Sequence, residues 1–188
     1  LNTGIISTVS NNQRLFGISP GYGVLHFILY NNGTISTQNV TSNAGGAKKI
    51  TIANNILSLL STDSYIYYNK INDISIKNPL VNTGGTWNKI NTKQYKNIYS
   101  DPRGKGIILW LINQNDSISY CNYDISGTQI TPIIKDLYDD NGASIKCSKM
   151  SIFDQNTWLI GLAGFTYYIN SNNKINIFDK TITYLYDI

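Results

Sequence analysis

The feature that most limits how this chain can fold is a hairpin pattern that occurs four times along it. In each copy a short apolar run is followed by a polar turn and then by a second β-rich run. Short clusters of Asn, Asp, Ser and Gly between β-rich runs are strong hairpin signals. The four predicted hairpins cover residues 24–37, 56–68, 107–120 and 158–169.

Composition agrees with a chain made of strands and turns. The sequence contains 30 Ile, 14 Tyr and 25 Asn, but one Met and no Glu. Ile and Tyr favour strands, Asn favours turns, and the usual helix-forming residues are scarce. A chain of 188 residues can bury a core without metals or disulfides. We therefore predict a single all-β domain that covers residues 1–188.

A second element recurs between the hairpins. An Asn or Asp lies two residues before a Gly at Asn2, Asn43, Asn82 and Asp140. Repeats of roughly 40–45 residues with about four strands each are typical of propeller blades. We predict a propeller-like array of about four antiparallel hairpin blades, with repeats that start near residues 2, 43, 82 and 140. The alternative is a β-sandwich or jelly roll, which also has many short strands.

The two ends of the chain are both β-rich. We expect segments 5–10 and 180–186 to pair, because pairing would close the ring and remove exposed sheet edges. The sequence begins at Leu1 rather than at Met, so we expect a mature product or an excised domain.

The segment 82–87 (Asn-Thr-Gly-Gly-Thr-Trp) resembles the Asp-box of sialidases and other BNR-type propellers, whose pattern is roughly Ser-x-Asp-x-Gly-x-x-Trp. Gly84 and Trp87 match this pattern, whereas Leu80 replaces the Ser and Asn82 replaces the Asp. The resemblance implies a structural turn between the outer strands of a blade, remote from any active site.

The catalytic residues of sialidases do not carry over. The family is expected to hold its substrate with three arginines and to use a Tyr–Glu nucleophile pair, but this chain has only Arg14 and Arg103 and no Glu. Sialidase activity is therefore excluded for this chain alone. A glycan-cleaving enzyme with two Asp carboxyl groups remains an alternative, although most of the Asp residues lie in turn signals.

Few other side chains could carry catalysis or bind a metal. His26, the only histidine, lies in an apolar run, and we expect a buried imidazole that is hydrogen-bonded to the backbone. Cys121 and Cys147 could form one disulfide or remain two free thiols, and their spacing is not that of a zinc site. Residues 139–141 could bind calcium or form a solvated turn. We predict no catalytic residues, no cofactor and no metal.

The net charge of +4 comes from scattered lysines, of which Lys48 and Lys49 are the densest pair. Nucleic-acid binders usually concentrate Lys and Arg on one face, so we predict no nucleic-acid partner. The apolar runs are too short to span a bilayer, so we predict no membrane insertion.

Candidate ligand-binding residues lie in loops that contain aromatic and charged side chains. Recognition residues concentrate in loops held by a rigid scaffold, and flat rings beside amide or carboxylate groups suit sugars. Trp110 and Trp158 lie inside apolar runs and are expected in the core. The predicted ligand-binding residues are Tyr22, Trp87, Tyr99, Asp101 and Arg103.

These observations favour a non-enzymatic, lectin-like recognition domain of a secreted, cell-surface or virion-surface protein. It would bind a glycan or a protein receptor through loops. The alternative is a structural component of a virion, tail or filament that packs against copies of itself.

Overall fold

The protein is described by a computed structural model. The residues that it describes are 7–11, 14–19, 23–29, 32–40, 46–71, 87–101, 109–124, 130–139, 141–153, 156–161, 166–169 and 175–179. Within these ranges sixteen strands form four antiparallel sheets, each of four strands, and there is no α-helix. In every sheet the neighbouring strands are consecutive in sequence. The prediction of an all-β chain made of about four blade-like hairpin units is confirmed.

The first compact unit, Leu1–Tyr95, contains two sheets. Their cores pack together: Phe16 and Ile18 of the first sheet lie in one buried cluster with Leu57 and Leu59 of the second. The strands of the first unit are β1 (Ser7–Asn11), β2 (Arg14–Ser19), β3 (Gly23–Leu29) and β4 (Ile35–Asn39), then β5 (Ala47–Ala53), β6 (Ile56–Ser61), β7 (Ile66–Lys70) and β8 (Asn88–Lys89).

The second compact unit, Lys96–Ile188, contains the other two sheets except for Tyr95, the first residue of their first strand, which belongs to the first unit. Trp110, Ile112 and Ile118 of the third sheet pack with Cys147 and Met150 of the fourth. Trp110 is thus in the core as predicted, while the side chain of Trp158 lies outside the described part. The strands are β9 (Tyr95–Ser100), β10 (Leu109–Asn113), β11 (Ile118–Asp124) and β12 (Thr131–Asp136), then β13 (Cys147–Phe153), β14 (Asn156–Gly161), β15 (Thr166–Ile169) and β16 (Ile175–Asp179).

All four predicted hairpins are present, as β3–β4, β6–β7, β10–β11 and β14–β15. In the first sheet this hairpin supplies the third and fourth strands, whereas in the other three sheets it supplies the second and third. The first sheet is therefore one strand out of phase with the predicted repeat.

Two predictions about the whole chain stay predictions. Residues 180–186, which were expected to close the ring, lie outside the described ranges. The prediction of a single domain over residues 1–188 also stays a prediction.

Candidate functional site

Of the five residues predicted to bind a ligand, the structure describes three: Trp87, Tyr99 and Asp101. Tyr22 and Arg103 lie outside the described residues. Trp87 is buried, with 2% of its surface exposed, and its indole Nε1 donates to the Val40 carbonyl oxygen at 2.9 Å. The prediction that this ring binds a ligand is corrected, because burial leaves no ring face exposed.

Asp101 also has a structural role. It is 1% exposed, and its Oδ2 accepts a hydrogen bond of 2.9 Å from the buried indole Nε1 of Trp110. Buried donors of this kind need an acceptor, so we correct the assignment of Asp101 to ligand binding. Tyr99 is half-buried against the core of the second unit, and its hydroxyl accepts from Asn97 Nδ2 at 3.0 Å.

His26 is buried, as predicted, but its observed partner is a side chain rather than the backbone. The imidazole stacks on Phe16 with ring centroids 4.7 Å apart, and Arg14 Nε donates to its Nε2 at 3.3 Å. Burial, and secondarily the charge of Arg14, lowers the pKa of His26 to about 4. The neutral ring is thus held as an acceptor in the packing of the first unit.

The remaining reactive groups are also in structural positions. Cys121 and Cys147 are free and buried, and burial raises the pKa of each thiol to about 12. Asp139 accepts hydrogen bonds from the backbone N–H groups of Asn141 and Ala143, which is the solvated-turn alternative for this segment. Among the described residues no group of three or more His, Cys, Asp or Glu side chains could hold a metal, and no helix could span a membrane.

Two hairpin tips, 61–65 in the first unit and 113–117 in the second, share one backbone geometry. In each tip the N–H of the first residue donates to the carbonyl of the fifth at 2.8 Å, and the fourth residue donates back to the first at 2.9–3.0 Å. The fourth residues, Ser64 and Asp116, both have a φ of 68°. This left-handed conformation is uncommon outside Gly and is tolerated best by short polar residues.

The chain that follows each tip repeats as well. The Ser64 carbonyl accepts from the N–H of Tyr95, the first residue of β9, at 2.7 Å, and the Asp116 carbonyl accepts from Cys147, the first residue of β13, at 3.0 Å. In both tips, therefore, the carbonyl of the fourth residue accepts a backbone hydrogen bond from a residue 31 positions further along the chain.

At the first tip, aromatic rings and lysines come together. Tyr67 pairs with Lys89 across β7 and β8, and Lys89 Nζ lies 3.7 Å from the Tyr65 ring centroid and 5.6 Å from that of Tyr67. Lys48 Nζ donates to Ser64 Oγ at 3.0 Å. Both lysines are exposed and both tyrosines are half-buried. We name Lys48, Ser64, Tyr65, Tyr67 and Lys89 the Tyr65 cluster.

At the second tip the equivalent positions hold two carboxylates, two hydroxyls and one lysine. Ser119 pairs with Asp136 across β11 and β12, and its hydroxyl donates to Asp136 Oδ1 at 2.6 Å. Lys96 Nζ lies 2.6 Å from Asp116 Oδ1 in an ion pair. We name Lys96, Asp116, Ser117, Ser119 and Asp136 the Asp136 cluster.

Sequence reasoning missed the Tyr65 cluster, although its parts were visible. The run 65–68 (Tyr-Ile-Tyr-Tyr) was interpreted only as a strand, and Lys48 only as half of a dense pair. Residues 71–88 lie between the end of this strand at Lys70 and Lys89, so the register that brings Lys89 to Tyr67 could not be obtained from spacing.

In sequence, the chain matches no protein-family model and no curated protein. In fold it is similar to human WBSCR16, with a TM-score of 0.61 and 7% identity over 89% of this chain and 47% of that one. It is also similar to the computationally designed Ika8 protein (TM-score 0.55, 8% identity, 95% of this chain and 50% of that one). A third match is a chain from the crystal structure of Kap60 bound to yeast RCC1 (Prp20), with a TM-score of 0.56 and 9% identity over 90% of this chain and 42% of that one.

These similarities show the fold alone. The chain spans about half the length of the solved structures that it matches, and the neighbours include propeller-like or repeat proteins. That result agrees with four consecutive blade-like sheets.

Proposed function

We propose that this chain is a non-enzymatic recognition domain that binds a saccharide through the Tyr65 cluster. The observation that carries the proposal is the pair of half-exposed rings, Tyr65 and Tyr67, grouped around the Lys89 ammonium at a hairpin tip. Tyrosine rings offer an apolar face and a polar tip, which suits the apolar faces and hydroxyl edges of sugar rings. The packed sheets beneath provide the rigid support that recognition residues need.

Two further elements belong to the same proposal. A saccharide-binding role fits a secreted, cell-surface or virion-surface protein, and the Asp-box resemblance of segment 82–87 would concern the scaffold, where Trp87 is packed.

The test is calorimetric titration of the chain with a panel of hexasaccharides: hyaluronan, chitohexaose and maltohexaose. Tyr65→Ala should weaken binding of whichever sugar binds by roughly tenfold, because an aromatic contact of about 1.5 kcal/mol is lost. Tyr138→Ala removes an exposed ring of the second unit (53% exposed) and should leave the affinity unchanged. Equal losses in both variants, or no binding of any member of the panel, would contradict the proposal.

Exposed apolar residues on outer strands favour a second candidate, a structural module that associates with copies of itself. Ile35 on β4 is 66% exposed and Ile133 on β12 is 44% exposed, and both strands end their sheets. Unpaired edges promote association between sheets. Sedimentation velocity over a concentration series should then show oligomers that Ile133→Lys reduces; a monomer at all concentrations would exclude this candidate.

A further inference from the structure

We infer that the ligand of the Tyr65 cluster is an acidic saccharide, whose carboxylate or sulfate group is bound by Lys89 with Lys48 beside it. This inference rests on the proposed function and names its ligand class. It comes from comparing the two clusters position by position. In the second unit the equivalent lysine, Lys96, is neutralised by a carboxylate on the same tip backbone.

In the second unit the acidic groups are part of the protein. Lys96 is the second residue of β9 and makes an ion pair with Asp116. Lys48 is the second residue of β5, and its partner at the equivalent tip position is the neutral hydroxyl of Ser64. The position of Asp136, opposite Ser119, is taken in the first unit by Lys89, opposite Tyr67.

The ammonium of Lys89 is held by aromatic rings rather than by a carboxylate of the described residues. Its ammonium contacts the rings of Tyr65 and Tyr67, and no carboxylate of the described chain lies within ion-pair distance of it. A ring quadrupole attracts a cation but carries no net charge, so the ammonium can still bind an anion. An anion at Lys96, by contrast, would have to displace Asp116.

An acidic saccharide would contact both the lysines and the tyrosine rings of the Tyr65 cluster. The acid group can form charge-assisted hydrogen bonds with the Lys89 ammonium, while the sugar ring that carries the acid lies along the tyrosines. An inorganic anion would use only the lysines, and a neutral sugar would use only the rings. The cluster therefore suits a ligand that carries a negatively charged group on a sugar ring.

The test compares two hexasaccharides that differ in charge, hyaluronan with a carboxylate in each disaccharide and chitohexaose with none. Wild-type chain should bind hyaluronan at least tenfold more tightly, and Lys89→Gln should remove that preference, since a hydrogen bond to a charged group corresponds to roughly tenfold or more in affinity. Lys135→Gln makes the same charge change at an exposed position of β12 and should preserve the preference. A sulfated maltohexaose arm distinguishes sulfate from carboxylate as the acid group.

The outcomes separate this inference from the proposed function. Equal affinity for the two hexasaccharides, with binding that still depends on Tyr65, would overturn the acidic ligand and leave saccharide recognition standing. No binding of any hexasaccharide would overturn both. Equal binding of a short oligodeoxythymidylate, weakened as much by Lys135→Gln as by Lys89→Gln, would indicate a general polyanion surface and would also overturn the inference.

Discussion

The hairpin tip at 61–65 and the tip at 113–117 share one backbone geometry but differ in the side chains that surround them. Both place a left-handed residue fourth in the tip, and the carbonyl of that residue accepts a backbone hydrogen bond from a residue further along the chain. One tip then holds two lysines beside two tyrosine rings, whereas the other holds two carboxylates, two hydroxyls and one lysine that is paired with a carboxylate. The same tip backbone therefore accepts different sets of side chains. This is why one copy can bind a ligand, as we propose, while the other forms ion pairs and hydrogen bonds within the protein.

The largest expected effect tests whether the two units bury their tryptophans in equivalent ways. Trp110→Phe should destabilise the protein by about 3–5 kcal/mol, because it combines lost volume with loss of a hydrogen bond to the Asp101 carboxyl group. Trp87→Phe should cost about 2–3 kcal/mol, because its acceptor, Val40, offers a neutral carbonyl. Urea unfolding measures both values, and a larger loss at Trp87 would contradict the comparison.

The next largest effect is a dependence of the free energy of unfolding on pH. It arises in the first unit, because the only histidine of the sequence lies there. In the unfolded chain His26 has its ordinary pKa of 6.5, and in the folded chain its pKa is about 4. Between these values the unfolded chain binds the proton first, so stability falls as the pH drops from 6.5 to 4, by about 3 kcal/mol in all. Above pH 6.5 the histidine makes no pH-dependent contribution.

His26→Gln is the matched control for this acid effect, and urea unfolding at pH 7, 5.5 and 4.5 measures it. The variant should lose less stability than wild type over this range, since only the carboxyl groups then titrate. An identical pH dependence in both proteins would show that the imidazole titrates normally in the folded state.

A medium-sized effect tests whether the two tips share their backbone. Ser64→Val and Asp116→Val should each cost about 1–2 kcal/mol, because a β-branched residue is strained at a positive φ. Ser64→Gly should be neutral or slightly stabilising. Unequal costs for the two valine variants, well beyond 0.5 kcal/mol, would break the equivalence of the tips.

The smallest expected change in stability comes from moving the acidic group from one tip to the other. Ser64→Asp gives Lys48 the carboxylate that Lys96 already has, and an exposed ion pair of this kind is worth about 0–1 kcal/mol. Thermal unfolding should therefore change little. Affinity for hyaluronan hexasaccharide should nevertheless fall several-fold, because Lys48 is then neutralised. Unchanged affinity would remove Lys48 from the proposed site.

The sequence predicted the fold better than the site for a physical reason. The hairpins depend on neighbouring residues: the apolar run 56–61, the polar turn after it and the β-rich run that follows are contiguous, and all three are found as predicted. Trp87 and Asp101 were assigned to ligand binding because they follow loop signals. Each is in fact buried and hydrogen-bonded within the protein, Trp87 to Val40 and Asp101 to Trp110. Burial of this kind is decided by packing, which spacing does not reveal.

The Tyr65 cluster was missed for a related reason, because the contact between its residues depends on strand pairing rather than on their spacing in the sequence. Tyr65 and Lys89 are 24 positions apart in the sequence and meet because β8 pairs beside β7. In the second and third sheets the fourth strand supplies the charged residue beside the tip hairpin, Lys89 or Asp136, and its register could not be derived from the turn pattern.

The central claim is that the first unit holds the ligand site and that the equivalent position in the second unit does not. Titration of ¹⁵N-labelled chain with hyaluronan hexasaccharide, followed by amide chemical shifts, tests it most directly. We predict shifts that saturate with a single affinity and concentrate at residues 61–67 and 88–94, with little change at 113–119 and 131–136. Shifts that concentrate at 113–119, or that spread evenly over the exposed lysines, would contradict the claim.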